Sequence, residues 1–155
     1  MIKGFVLAVV QVGMILSIGG KLVMDRASLP RVWVRTAPFD PNLPIRGRYV
    51  SLAVEAEARG FGSGVLYAES HLSVEDGKLI VRPSEGGNVM ASISGGRARL
   101  SEPVAFFIPE HVPDPSRRLP GEELWVEVTV PRNGPPRPIR LGVKSAGVLT
   151  PLDLK

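Results

Sequence analysis

The stretch RYVSLAVEAEA, residues 48–58, alternates apolar and polar side chains over most of its length. In an extended chain Val50, Leu52 and Val54 fall on one face, and Tyr49 falls on the other. A period of two residues is typical of a β-strand with one face in a protein core. The stretch therefore predicts a strand in which Leu52 is buried and Tyr49 covers the outer face.

The same alternation recurs near the C-terminal end, in EELWVEVTV, residues 122–130. Here Leu124, Val126 and Val128 share the predicted core face, and Trp125 lies on the opposite face with polar neighbours. Eight further stretches show a shorter or weaker version of the pattern. They are residues 31–35, 64–68, 78–82, 88–92, 97–100, 104–108, 139–144 and 147–149.

Turn-forming residues separate these stretches. The chain has 17 glycines and 15 prolines, spread at intervals along it, and the pairs Asp76-Gly77 and Gly95-Gly96 suit tight hairpins. Residues 109–121 are rich in proline, which predicts a long surface loop. Short strands at this spacing predict an all-β fold, either an antiparallel sandwich or a barrel-like domain, preceded by one hydrophobic helix.

The hydrophobic helix is predicted at the N-terminus. Residues 4–20 carry no charge, and Lys3 and Lys21 flank them. As a helix these residues span about 26 Å, close to the hydrocarbon thickness of a bilayer. We expect residues 4–24 to contact membrane lipid, with residues 1–29 forming an anchor and short linker and residues 30–155 a single β domain. A cleaved signal peptide and a buried core helix are the alternatives.

Composition excludes several classes of protein. The chain has no cysteine, so disulfides, thiolate catalysis and cysteine-ligated zinc are impossible. Its net charge is +4, but the arginines are scattered and aromatic residues make up only 6%. A nucleic-acid partner is not expected, because such proteins cluster basic and aromatic residues. A basic surface beside anionic lipid is the simpler explanation.

Two segments resemble the GDYXXLXY family, which comprises small membrane-anchored bacterial proteins. One runs from residue 37 to residue 52 (APFDPNLPIRGRYVSL), and the other is FIPE, residues 107–110. The positions that match the family motifs are Gly47, Tyr49, Leu52, Phe107, Pro109 and Glu110. The resemblance runs from the anchor to about residue 130, and the family brings no established activity.

Two motif positions differ, since Arg48 replaces the family aspartate and Val54 replaces the final tyrosine. The first change reverses a charge, so any chemistry of that aspartate is lost in this chain. A role in folding is the plainer interpretation of the motif: glycine allows an unusual backbone angle at the strand start, and the tyrosine and leucine occupy opposite faces.

The resemblance also implies a location. It favours a single-pass protein of the bacterial inner membrane with its β domain on the extracytoplasmic side. The basic residues Lys21, Arg26, Arg31 and Arg35 follow the uncharged segment of residues 4–20, and by simple count they favour the opposite orientation. Large domains after a short N-terminal tail often translocate regardless of nearby charge.

Candidate chemistry is sparse. Glu69 and His71 would share a strand face, and with Glu75 or Asp76 they supply too few ligands in fixed spacing for a convincing metal site. Glu110, His111 and Asp114 lie in the proline-rich loop, where they could bind a cation or act in acid–base chemistry, but no partner nucleophile is evident. We therefore expect no catalytic residue, no metal ligand and no cofactor.

One layout keeps an enzyme hypothesis open. The order of elements is similar, by analogy only, to that of membrane-bound signal peptidases with a serine–lysine dyad. It consists of a hydrophobic helix, a proline-containing linker and a strand. Ser28 and Lys78 are the only candidates for such a dyad, which needs a lysine neutralised by burial.

Two functions are therefore carried forward. The first is a non-enzymatic accessory or interaction module of the cell envelope, held at the membrane beside an integral membrane protein. Its candidate interaction residues are the outward-facing aromatics Trp33, Tyr49 and Trp125. The second is an envelope hydrolase or metal-dependent enzyme.

Overall fold

The structure, a computed structural model, describes residues 2–38 and 49–154, which hold one helix and ten strands. Gly47 and Arg48 of the motif lie outside the described residues. The elements are α1 (Ile2–Ser28), β1 (Arg31–Pro38), β2 (Tyr49–Ala58), β3 (Tyr67–Glu75), β4 (Lys78–Pro83), β5 (Val89–Ser94), β6 (Arg97–Leu100), β7 (Val104–Phe107), β8 (Glu122–Thr129), β9 (Arg137–Ser145) and β10 (Val148–Pro151). The predicted all-β domain with one N-terminal hydrophobic helix is confirmed.

Helix α1 contains a 19-residue apolar window, Val6–Met24, with a mean hydropathy of 2.0. None of this window is buried by the rest of the protein. The window is about 28 Å long at 1.5 Å per residue, which matches the hydrocarbon core of a bilayer. The helix is thus long and apolar enough to cross a membrane, and a signal sequence has the same properties.

Five strands close into a barrel, in the order β2-β4-β3-β5-β6 and back to β2. The barrel closes where β2 and β6 form a ladder, in which Glu55 lies opposite Arg99 and Glu57 lies opposite Arg97 along the backbone. Strands β2 and β4 run parallel, and the other pairs of the barrel are antiparallel. Closure leaves these strands without the unpaired edges that promote aggregation.

The other strands extend the sheet from β2, in the order β2-β1-β8-β9-β10. Strand β7 pairs with the first half of β2, residues 49–52, and β6 pairs with residues 55–57. Strands β6 and β7 therefore form one interrupted ladder along β2, broken at residues 101–103, where Pro103 has no N–H to donate. Strand β2 belongs to both the barrel and the open sheet.

One core joins the two parts. Leu52 and Val54 on β2 are fully buried, as the alternation of residues 48–58 predicts. Around them the barrel contributes residues such as Leu72 and Val81, and the open sheet contributes residues such as Val126. These side chains form a continuous buried cluster, so the barrel and the open sheet share their interior.

Three details differ from the sequence prediction or refine it. The strand predicted at residues 64–68 is wrong for residues 64–66, because Gly64 adopts a φ of +88° in a turn and β3 begins at Tyr67. The parallel pairing of β2 and β4 is not part of a purely antiparallel fold. The loop of residues 109–121 is irregular as predicted, and its Pro115 is fully buried.

Candidate interaction groove

The alternation of β1 sets up one side of a groove. Val32, Val34 and Thr36 are buried, so Trp33 and Arg35 project from the opposite face. Strand β8 pairs with β1 so that Trp125 lies directly opposite Arg35. Side chains opposite each other in an antiparallel pair share a face. The two tryptophans of the chain thus come together on one surface, although 91 other residues separate them in the sequence.

These tryptophans line an open groove of about 590 Å³. Its walls come from β1 residues 33–35, β2 residues 55–57, the turn and strand residues 77–79 and 95–97, and Trp125 of β8. The groove thus lies where the barrel meets the open sheet. It combines apolar surface from the tryptophans and Leu79 with charged side chains from β1, β2, β4 and β6.

Trp33 is held in place from the side of β9. The guanidinium of Arg140 lies 5.3 Å from the centre of its ring, within the range of a cation–π interaction. A Cβ placed on Gly142 would come within 2.9 Å of the indole. Glycine at position 142 therefore allows the ring to lie directly against the backbone of β9.

Trp125 is fixed in a similar way. The ammonium of Lys144 lies 4.7 Å from its ring centre, and the indole Nε1 donates a hydrogen bond to Oε2 of Glu123 at 3.1 Å. Both tryptophans are half-buried, which makes them less exposed than the sequence prediction of outward-facing aromatics implies. Fixed, half-buried aromatic rings lose little conformational entropy on binding a partner.

An ion pair of short length lies beneath this surface. Glu127 of β8 is 8% exposed, and its Oε2 accepts a hydrogen bond from Nε of Arg140 at 2.6 Å. Sequence alternation places Glu127 on the outer face of β8, and the register sets it directly opposite Trp33. Its burial therefore results from the indole and from Arg140, which cover it on that face.

Most charges that line the groove are paired. Arg35 lies 3.2 Å from Glu123 and 3.8 Å from Glu55, and Lys78 lies 3.7 Å from Glu57. A hydrogen bond from Arg59 lowers the pKa of Glu57 below its ordinary value. These pairs keep both signs of charge within the groove, and the hydrogen bond from Arg59 favours the ionised form of Glu57.

Arg97 is the exception in the groove. Its side chain is exposed on β6, and within residues 2–38 and 49–154 it makes no salt bridge. An unpaired arginine beside two tryptophans resembles the composition of interface hot spots, which are enriched in these two residue types. The groove can therefore receive a partner that brings a carboxylate or another acceptor beside an apolar group.

The candidate interaction residues divide into two places. Trp33 and Trp125 meet in the groove, but Tyr49 does not line it. Tyr49 lies six residues from Glu55 along β2, which is about 20 Å in a strand. The three aromatics therefore do not form one surface.

The motif residues identified by resemblance have different environments. Tyr49 pairs with Phe107 across β2 and β7, and their exposed rings meet edge to face with centroids 5.5 Å apart. Leu52 is fully buried. Pro109 is half-buried and Glu110 is exposed at the start of the long loop. The two segments of the resemblance thus meet in space at the start of β2.

The residues considered for chemistry do not converge. His71 is exposed and lies opposite Arg82 on β4, and His111 is exposed in the long loop. Neither histidine lines the groove. Among the residues that the structure describes, no three His, Asp or Glu side chains are grouped so that they could hold a metal ion.

The serine–lysine pair also lacks the required environment. The hydroxyl of Ser28 donates a hydrogen bond to the Met24 carbonyl in the last turn of α1. The side chain of Lys78 is 68% exposed and lies beside Glu57. A dyad lysine needs burial to become neutral, and Lys78 is not buried.

Comparisons with protein-family models, with curated proteins and with solved structures found no match for this chain. The resemblance to the GDYXXLXY family stays a prediction on that ground.

Sequence patterns indicate only part of the groove. The aromatic candidates were visible as residues on the polar faces of β1 and β8. Arg35, Glu55 and Arg97 were not distinguishable from ordinary surface charges, because only the register of β1, β2 and β6 brings them together. Gly142 gave no signal either, since its role depends on the position of the Trp33 ring.

Proposed function

We propose that this chain is a single-pass, membrane-anchored binding module of the bacterial cell envelope and has no enzymatic activity. Its partner is an integral membrane protein, which it binds in the groove between the barrel and the open sheet. The observation that carries the proposal is the groove itself, with Trp33 and Trp125 fixed beside the unpaired Arg97. The resemblance to the GDYXXLXY family supports the bacterial setting.

The distance between groove and anchor supports a membrane protein as the partner. The apolar window ends at Met24, the helix ends at Ser28, and Trp33 is the third residue of β1. Four helical residues and five extended residues span at most about 23 Å. A groove this close to the bilayer is within reach of the extramembrane loops of an integral membrane protein.

We propose that the β domain lies on the extracytoplasmic side of the inner membrane. The resemblance favours this side, and a large domain after a short N-terminal tail can translocate despite basic residues near the anchor. Arg31 and Arg35 are part of strand β1, where Arg35 pairs with two glutamates. Arg35 therefore has a structural role in the β domain, apart from any influence on the orientation of the protein in the membrane.

Membrane extraction tests the anchor. Full-length protein should sediment with membranes and resist both high salt and carbonate, because the apolar window is buried in lipid. A chain that begins at Ser28 should be released into the soluble fraction. Release of the full-length chain by salt alone, or loss of residues 1–19 from the mature protein, would rule out a retained anchor.

A charge reversal in the groove tests the binding function. Arg97→Glu should abolish complementation of a deletion strain, because it places a negative charge where the partner meets a positive one. Arg99→Glu is the matched control, since Arg99 is exposed two residues along β6 and does not line the groove. Both variants should accumulate to normal levels in the membrane.

The enzyme hypothesis makes the opposite forecast in the same assay. Under our proposal His71→Ala and His111→Ala, separately and together, should complement as well as the original protein. Loss of function in the double histidine variant at normal abundance, with Arg97→Glu still active, would favour an envelope hydrolase or a metal-dependent enzyme.

A further inference from the structure

Three arginines surround the place where the chain leaves the helix and enters the β domain. Arg31 is the first residue of β1, Arg137 is the first residue of β9, and Arg132 lies in the loop between β8 and β9. We call these three residues the basic collar. All three are exposed, and their position is set by strand pairing at the ends of β1, β8 and β9.

The register brings the collar together around Thr129. Thr129 of β8 pairs with Arg31 on one side and with Arg137 on the other. Neighbouring strands are about 4.8 Å apart, so these two arginines are separated by about 10 Å across the sheet. The amide of Val130 donates a hydrogen bond to the Pro30 carbonyl at 3.0 Å, which fixes Arg132 two residues away from the end of the anchor linker.

The two stretches of sequence that carry the collar contain no acidic residue. Neither residues 26–39 nor residues 128–152 contain an aspartate or a glutamate. Glu127, just before the second of these stretches, is already bonded to Arg140. Within the part of the chain that the structure describes, Arg132 and Arg137 make no salt bridge.

The collar is close enough to a bilayer for electrostatic attraction to anionic headgroups to act on it. Arg31 follows the apolar window by four helical and three extended residues, which span at most about 16 Å. The headgroup layer occupies about 5–8 Å of this distance. The remaining gap of about 10 Å is comparable to the Debye length of about 8 Å at physiological salt.

We infer that the basic collar binds the headgroups of anionic phospholipids and holds the β domain down against the bilayer surface. Each arginine near an anionic surface raises the binding constant about fivefold, so Arg132 and Arg137 together contribute about 25-fold. This contact fixes the height of the domain, and so keeps the groove at the level of the partner. The inference rests on the proposed membrane anchor.

Position 133 allows a direct test, because the chain has no cysteine and Asn133→Cys creates a unique labelling site in the exposed collar loop. The full-length protein, labelled there with a fluorophore, is placed in nanodiscs whose lipid headgroups carry a short-range nitroxide quencher. One set of discs is made of phosphatidylcholine, and the other also contains phosphatidylglycerol. Quenching should be stronger in the anionic discs, and the difference should vanish near 1 M salt, where the Debye length is about 3 Å.

Variants separate the collar from general charge. Arg132→Gln with Arg137→Gln should remove the extra quenching in anionic discs. Arg99→Gln with Arg117→Gln removes the same charge from two exposed arginines elsewhere and should leave the extra quenching intact. A fluorophore at Ser101→Cys, between β6 and β7, should report no difference between the lipids.

The possible failures are distinguishable. Full-length protein that does not co-migrate with nanodiscs of either lipid would overturn the anchor and the collar together. If the protein enters both kinds of disc but quenching of the label at position 133 is equal in each, the lipid-binding role of the collar is overturned and the anchor is not. Equal loss of quenching in the two arginine double variants would also overturn it, because net charge would then explain the effect.

Discussion

At the scale of single residues, Gly142 controls how Trp33 sits in the groove. A Cβ at this position would meet the indole at 2.9 Å and the Thr150 carbonyl oxygen at 3.1 Å. An added Cβ would lie between the Thr150 backbone and the half-buried Trp33 ring, and neither can move far to make room for it. The absence of a side chain at position 142 is therefore a condition for the present position of the ring.

Gly142→Ala should lower the stability by roughly 1–3 kcal/mol, the range for overpacking a tight site. The cost should shrink in a Trp33→Ala background, because the smaller side chain removes the closest contact. Thermal or denaturant unfolding of the single and double variants measures this coupling. Equal costs of Gly142→Ala in both backgrounds would show that the ring is not what excludes the methyl group.

Leu52 and Tyr49 test the two faces of β2. Leu52 is fully buried between its pairing partners Pro38 and Val104, so Leu52→Ala should destabilise by roughly 2–5 kcal/mol. Tyr49 is 46% exposed, so Tyr49→Phe should change stability by less than about 0.5 kcal/mol and keep the ring contact with Phe107. The reverse ranking in denaturant unfolding would contradict the faces assigned to this strand.

At the scale of elements, three hairpins use the same two-residue turn. The turns at residues 76–77, 95–96 and 146–147 all have positive φ at both positions, as type I′ turns require. Asp76-Gly77 and Gly95-Gly96 carry the residues that this turn prefers. Ala146, with a φ of +49°, does not, and it is the strained member of the three.

Ala146→Asn should stabilise the protein by about 0.5–1 kcal/mol, because asparagine tolerates the left-handed conformation better than alanine. Ala146→Val is the matched opposite change and should destabilise, since a β-branched residue is rarely found at positive φ. The two variants differ only at one exposed turn position, and their unfolding midpoints should shift in opposite directions. A lower midpoint for Ala146→Asn would mean that the turn is not strained.

The elements also show where sequence patterns were informative. Strands β2 and β8 were predicted from alternation because each buries one face along most of its length. Strand β3 was largely missed, because its inward side includes Ser70, whose burial depends on the close approach of Gly87. The two strands that flank Ala146 were predicted, but the tight turn between them was not, since Ala146 is not a residue that this turn prefers.

At the scale of the whole molecule, closure of the barrel and formation of the groove could not be predicted. Both depend on pairings between residues far apart in the chain, such as Glu55 with Arg99 and Arg35 with Trp125. Alternation fixes which face a residue occupies, but it does not fix which strand lies beside it. The predicted fold class was therefore confirmed, while the meeting of the two tryptophans came from the register alone.

Acid should weaken the whole domain through a shared cluster of charges. Arg82 and Arg59 lower the pKa of Glu75, and Arg59 lowers that of Glu57, below the ordinary value of 4.5. A carboxyl whose pKa is lower in the folded state stabilises the fold above its unfolded pKa, and this stability is lost as pH falls through the folded pKa. The unfolding midpoint should therefore decline as the pH drops below about 4.5.

The contribution of this cluster is separable from that of other carboxylates. Glu57→Gln with Glu75→Gln should flatten the decline below pH 4.5, because neither position then takes up a proton. Glu85→Gln with Glu102→Gln removes the same charge from two exposed positions without a salt bridge among the described residues. If both double variants flatten the decline equally, the cluster has no special part in acid stability.

The path by which α1 joins the β domain has a mechanical consequence. The chain passes from α1 directly into β1, which lies between β2 and β8 and pairs with both. A force applied to the domain through α1 would reach β1 first, and its component along the β1 axis would load both neighbouring ladders. Hydrogen bonds of antiparallel neighbours lie perpendicular to that axis, so the two ladders would be sheared together rather than peeled apart one bond at a time. Helix α1 is thus joined to a strand that is paired on both sides, so tension applied through α1 would not unravel the domain from its N-terminal strand.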